Sequence, residues 1–138
     1  MSTLRTNALE GVDAKNSITI VAGAGNITTT NVQEGLCKAW CSLDGTTTDA
    51  SFKQAFNMGT VTDNGTGNFT VNYTNPMSNL TYSAQVTAGH AVGVTGDVVA
   101  TFNSDSSIAT TSCKFTAHSG GTNRDVPFNF CNIHGDLA

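Results

Sequence analysis

From Leu36 onward the chain is a series of short runs in which apolar and polar residues alternate, separated by Gly, Asn, Ser or Asp. Period-two alternation marks a strand with one buried face, because successive side chains leave a pleated backbone on opposite sides. In "LCKAWCSL" it puts Cys37, Ala39, Cys41 and Leu43 on one face and Leu36, Lys38, Trp40 and Ser42 on the other. In "NFTVNYT" it puts Phe69, Val71 and Tyr73 on one face and Thr70, Asn72 and Thr74 on the other. Between those runs stands "DNGTG", residues 63–67. Its Asn64-Gly65 pair predicts a two-residue hairpin turn with positive φ at both central residues, and Pro76 predicts the end of the second strand.

Further strands are expected over 80–88, 90–96, 98–104, 107–117 and 124–135, with Pro127 placing the last at a sheet edge or a bulge. Phe52 and Phe56 stand four apart after "DGTTTDA", and this run reads as a twisted loop, too short for a stable helix. Seven or eight strands at this spacing predict an all-β domain, an antiparallel β-sandwich or jelly-roll-like knob, over 36–138. Residues 1–35 differ. They lack aromatic residues and are rich in Thr, Asn and Gly, so they bury too little apolar area to offset their own ordering entropy. They are expected to be ordered by neighbouring chains, as an extended attachment and oligomerisation segment, although "NSITIV" reads as a strand with Ile18 and Ile20 on one face.

Composition narrows the function classes. Charged residues make up 12% of the chain, about half the usual fraction, and Thr with Asn about a quarter. The net charge of -4, with no Lys/Arg cluster, argues against nucleic acid as a partner. The uncharged run 16–33 is interrupted throughout by Thr, Asn and Gly, so no membrane insertion is expected. The opening "MSTLRTNALEGVDAKN" has no apolar core of a secretory signal. Cys37, Cys41, Cys113 and Cys131 are therefore expected to be reduced and buried, and a regular strand would hold Cys37 and Cys41 too far apart to bond each other.

No constellation for catalysis or cofactor binding emerges. There is no G-x-S-x-G, and the glycine-rich "VAGAGN" has no lysine and no following helix. His90, His118 and His134 lack metal-ligand spacing, and the C-x3-C of Cys37 and Cys41 has no second close pair. Asp44, Asp49, Asp63, Asp97, Asp105, Asp125 and Asp136 could supply a carboxylate pair for glycoside cleavage, but most occupy turn positions that Asp favours for its own hydrogen bonds. Five N-x-[ST] sequons, at Asn26, Asn64, Asn68, Asn72 and Asn79, follow from an Asn/Thr-rich composition. Trp40, the single tryptophan, reads as a core or subunit-interface anchor, or else as a platform on which a sugar stacks.

The words "GLCKAWCSLDGT", "FKQAFNMGTVTDNGTGNFTVNYTNPMSNLTYSA" and "FNFCNIHG" resemble short virion proteins and fibre C-termini of tailed bacteriophages, often aquatic, that are identified as tail-fibre proteins. Lys38, Ala39, Trp40, Asp44, Gly45 and Thr46 fit one block of that pattern. Phe56, Asn57, Val61, Asp63, Asn64, Gly65, Thr66, Gly67, Phe69, Thr70, Val71 and Met77 fit a second. Cys37 and Cys41 depart from it, standing where the pattern has Ala and Val, as does His134 at an apolar or aromatic position. The resemblance implies a non-enzymatic virion protein assembled in the host cytoplasm as a homotrimer, a tail-fibre or receptor-binding protein, or alternatively a capsid decoration protein. The expected partners are its own copies, other virion proteins through residues 1–35, and a host-surface glycan or protein. The residues expected to matter structurally are Trp40, Asp63, Asn64, Gly65, Gly67, Phe69, Val71 and Tyr73, with no catalytic, cofactor or metal residue.

Overall fold

The computed structural model describes residues 19–22, 28–31, 35–89, 96–102 and 107–138. The architecture is nearly all β, and the chain divides into two units, Met1–Leu36 and Cys37–Ala138. In the first, β1 (Thr19–Ala22) and β2 (Thr28–Asn31) form an antiparallel pair in which Thr19 faces Asn31. Ile18, expected to share a face with Ile20, lies outside the described residues, as does most of the strand expected over 90–96.

The second unit holds two antiparallel sheets packed as a sandwich. One has the order β4 (Ser51–Phe56), β3 (Cys37–Asp44), β12 (Asn129–His134), β7 (Ser83–Ala88). The other is built on β10 (Ser112–Ser119). On one side β10 pairs with β6 (Asn68–Tyr73), which in turn pairs with β5 (Met58–Asp63). Three short strands also pair with β10: β8 (Val99–Thr101), β9 (Ile108–Ala109) and β11 (Thr122–Asn123). The inward parities of both sheets meet in one core, in which Ala39, Leu43, Cys131 and Ile133 oppose Phe69, Val71, Cys113 and Phe115. The rings of Phe69 and Phe115 pack tilted at 5.9 Å, and truncating either to Ala should cost about 3–5 kcal/mol. Tyr73 donates to Tyr82 across 3.1 Å and Tyr82 donates to the Ala109 carbonyl across 2.8 Å, so both buried hydroxyls are satisfied.

The structure corrects several expectations. Residues 51–56 are a strand and not a loop. The register of β3 against β4 shifts between Ser42 and Leu43, so Ser42 faces Gln54 while Leu43 faces Phe52. Lys53 is the extra residue, and the bulge turns both Phe52 and Ala55 toward the core at a spacing of three, which hides the period of two. The run 107–117 is two strands, β9 and β10, joined at Thr110-Thr111. With β11 added, ten strands fall among the described residues of this unit, where seven or eight were expected. The strand after Pro127 lies inside its sheet between β3 and β7; proline precedes it by two residues and so withholds no ladder hydrogen bond from it.

The hairpin between β5 and β6 is also built differently from a two-residue turn. Its connection is Asn64–Gly67, and positive φ falls on Gly65 (101°) and Gly67 (66°), not on Asn64. Asp63 Oδ1 accepts from the Gly65 amide at 2.8 Å, and the Asn68 amide donates to the Gly65 carbonyl at 2.8 Å. Gly67 is buried against the next hairpin. Its amide donates to Asp125 Oδ1, its carbonyl accepts from the Ala117 amide at 2.7 Å, and a Cβ there would stand 2.4 Å from the Ala117 carbonyl oxygen. At Gly65 a Cβ would meet nothing. Gly65→Ala is therefore expected to cost only backbone strain, about 1–2 kcal/mol. Gly67→Ala should cost about 3 kcal/mol or more, because backbone must move as well. Urea melts of the two variants check the order, and equal losses would mean that the β6–β10 junction yields.

Candidate functional site

The outer face of the four-stranded sheet carries the most unusual surface of the unit. Because Ala39, Cys41 and Leu43 of β3 and Asn129, Cys131 and Ile133 of β12 face the core, the alternate residues must face out. The register then builds two transverse rows. Phe56, Trp40, Asn132 and Gln85 lie side by side across the four strands. Gln54, Ser42, Phe130 and Thr87 form the neighbouring row. Phe56 is 54% exposed, Phe130 38% and Phe128 46%, with Trp40 half-buried between its neighbours. Phe128 and Phe130 stack with their planes 12° apart and centroids at 6.4 Å. At the β7 edge a groove of about 690 Å³ takes in Gln85, Thr87 and Asn132 from these rows and reaches Ala100 of β8 and Phe102 just after it.

One ion pair borders the face. The Lys53 ammonium lies 2.8 Å from Asp44 Oδ2 and 4.5 Å from the centroid of Phe128, so the bulge that exposes Lys53 also seats its charge over a ring. The Asp44 carboxylate accepts in addition from the hydroxyl of Thr46 at 2.6 Å and its amide at 3.0 Å. These bonds, that from Lys53 foremost, hold the Asp44 carboxyl down at about 2. The aromatic face thus presents amides, hydroxyls and rings beside a satisfied ion pair, with Lys38 on the same side of β3 as Trp40 and Ser42. Such a surface can stack on a flat apolar ligand face and exchange hydrogen bonds with hydroxyls through amides, which both donate and accept.

The other residues singled out in the sequence serve the hairpin and the core. Trp40 belongs to the outer face and is absent from the core cluster. Phe69, Val71 and Tyr73 line the core. Asn64 Nδ2 donates to Thr70 Oγ1 at 2.9 Å, and Asn72 Nδ2 donates to Thr60 Oγ1 at 3.1 Å. Thr70 and Asn72 are half-buried, and these bonds tie Thr70 to the turn and Asn72 to the edge strand β5. Cys41, Cys113 and Cys131 are buried free thiols, and burial pushes Cys41 up to about 12. Among the described residues no group of three or more His, Cys, Asp or Glu side chains is placed to hold a metal, and no helix is long and apolar enough to cross a membrane.

Sequence reasoning missed Phe128, Phe130 and Asn132 as a surface set. The available signal was the alternation in "FNFCNI", which opposes Phe128, Phe130 and Asn132 to Asn129, Cys131 and Ile133. No protein-family model, curated protein or solved structure matches this chain.

The Asp44 arrangement has a pH consequence. Its folded pKa lies below the ordinary 3.8, so its contribution to stability is complete above about pH 4 and is lost as pH falls through about 2. Asp44→Asn should flatten the stability profile over that interval and leave its shape above pH 5 unchanged. Urea unfolding from pH 2 to 6 measures this, and parallel profiles would show that the three donors do not hold the carboxylate in solution.

Proposed function

We propose that this chain is a non-enzymatic structural protein of a tailed-phage virion, a homotrimeric tail-fibre or receptor-binding protein. Its recognition surface is the outer face of the four-stranded sheet. The observation that carries this reading is the set of exposed Phe56, Phe128 and Phe130 with half-buried Trp40 on one sheet face, beside Gln54, Gln85 and Asn132. Scattered apolar residues are ordinary on a surface, whereas adjacent exposed rings on one sheet face mark a surface that is used. With amides and hydroxyls beside them, the rings suit a host-surface glycan, whose C–H faces stack on aromatics and whose hydroxyls pair with amides. The resemblance of "KAW", "DGT" and "DNGTG" to tail-fibre proteins supports the virion setting. Trimer formation rests on residues 1–35, which are too poor in apolar area to order alone.

Two measurements test the reading. Light scattering should give a trimer, and the purified protein should compete with particles for adsorption to host cells. Phe56→Ala with Phe130→Ala should weaken that competition by about tenfold or more while changing folding stability by only about 0.5 kcal/mol. A monomer, or a double variant that competes as well as the parent, would contradict it. Copies matching the number of capsid subunits on purified particles, instead of the number of fibres, would favour a capsid decoration protein anchored through residues 1–35.

A further inference from the structure

Two of the four cysteines meet at the centre of the sandwich. Cys113 of β10 belongs to one sheet and Cys131 of β12 to the other, both are fully buried, and their sulfur atoms stand 3.5 Å apart. We propose that this pair is an oxidisable cross-link, closing into a disulfide that joins the two sheets when the protein meets a peroxide. Closure needs the sulfurs to approach to about 2.05 Å, a shift of the size that small χ1 rotations of two facing side chains supply.

The other thiols are placed differently. Cys37 Sγ donates to the Ala39 and Ile133 carbonyls at 3.2 and 3.4 Å. Cys41 lies opposite Cys131 within one sheet, so a link between them would join neighbouring strands that the ladder already holds. A bond between Cys113 and Cys131 ties sheet to sheet, and theirs are the sulfurs already in contact. The hydrogen bond between these two, together with burial, pushes the Cys131 thiol well up, while the same bond holds the Cys113 thiol lower, so Cys113 is the first of the pair to ionise.

The chemistry balances with hydrogen peroxide as the oxidant. The Cys113 thiolate attacks one peroxide oxygen, the O–O bond breaks, and hydroxide leaves to give a sulfenic acid. Cys131, giving up its proton to a hydroxide, attacks the sulfenic sulfur; the S–S bond forms and the second hydroxide leaves. The net change is two thiols and one peroxide to one disulfide and two waters, with both sulfurs oxidised and both peroxide oxygens reduced. Because neither sulfur is exposed, the reaction waits on opening of the sandwich and is slow in the folded state. A reducing cytosol leaves the pair open, and an oxidising exterior closes it.

The test is to treat the folded chain with hydrogen peroxide, alkylate the remaining thiols in urea, and map the unreduced digest by mass spectrometry. The expected result is loss of two hydrogen atoms in a Cys113–Cys131 linked peptide, with Cys37 and Cys41 alkylated. The melting temperature should rise by roughly 5–10 °C and fall back on reduction. Cys41→Ala should retain the link and the shift, and Cys131→Ala should lose both. Should Cys131→Ala fail to fold, the parent peptide map decides alone. A Cys41–Cys131 link, sulfinic acid at Cys113 without a link, or four alkylated thiols under conditions that oxidise the urea-unfolded chain would each overturn the proposal.

Discussion

The sandwich depends on one backbone corner. β4 ends at Phe56 in the four-stranded sheet and β5 begins at Met58 in the other, leaving a single residue, Asn57, to carry the chain between sheets. It does so with a φ of 53°, which asparagine tolerates better than other non-glycine residues. Its side chain then binds what it has turned between. Nδ2 donates to the carbonyls of Lys38 and Asn75, at 3.0 and 3.1 Å, and Oδ1 accepts from the Asn75 amide at 2.7 Å. Lys38 belongs to β3 and Asn75 follows β6, so one amide side chain connects the second strands of both sheets.

With that corner fixed, the inward parities of the two sheets are committed and the outward ones follow. On β5 and β6 the outward side chains are Thr60, Thr62, Thr70 and Asn72, and the bonds of Asn72 to Thr60 and Thr62 secure the edge strand β5. On the other sheet the same rule forces Phe56, Phe130 and Trp40 outward because Ala55, Cys131 and Cys41 are committed inward. The cysteines therefore act on two levels. As small buried groups they let the sheets approach, and at the Cys113–Cys131 contact they place two sulfurs where a covalent bond can form.

How much of this is legible in the sequence varies by strand. β3 and β6 are legible because each keeps strict alternation over its whole length with aliphatic, aromatic or cysteine residues inside. β4 is not, since the bulge at Lys53 replaces a spacing of two by a spacing of three between Phe52 and Ala55. The DNGTG connection is legible as a turn, but its conformation is decided by long-range contacts: Gly67 touches Ala117 and Arg124, about fifty residues on, which no local pattern encodes. The aromatic face is hidden for a related reason. Hydrophobicity alone turns Phe128 and Phe130 inward, and only the pairing of β12 with β3 and β7 shows that Cys131 and Ile133 hold the core positions.

Because Trp40 is the chain's single tryptophan and lies between Phe56 and Asn132 on that face, its emission reports on the proposed recognition surface alone. The direct measurement is Trp40 fluorescence during titration with polysaccharide from the host cell surface. The account predicts a saturable change in emission that disappears in Phe56→Ala. Binding to that polysaccharide with unchanged Trp40 emission would place recognition elsewhere on the molecule and contradict the account.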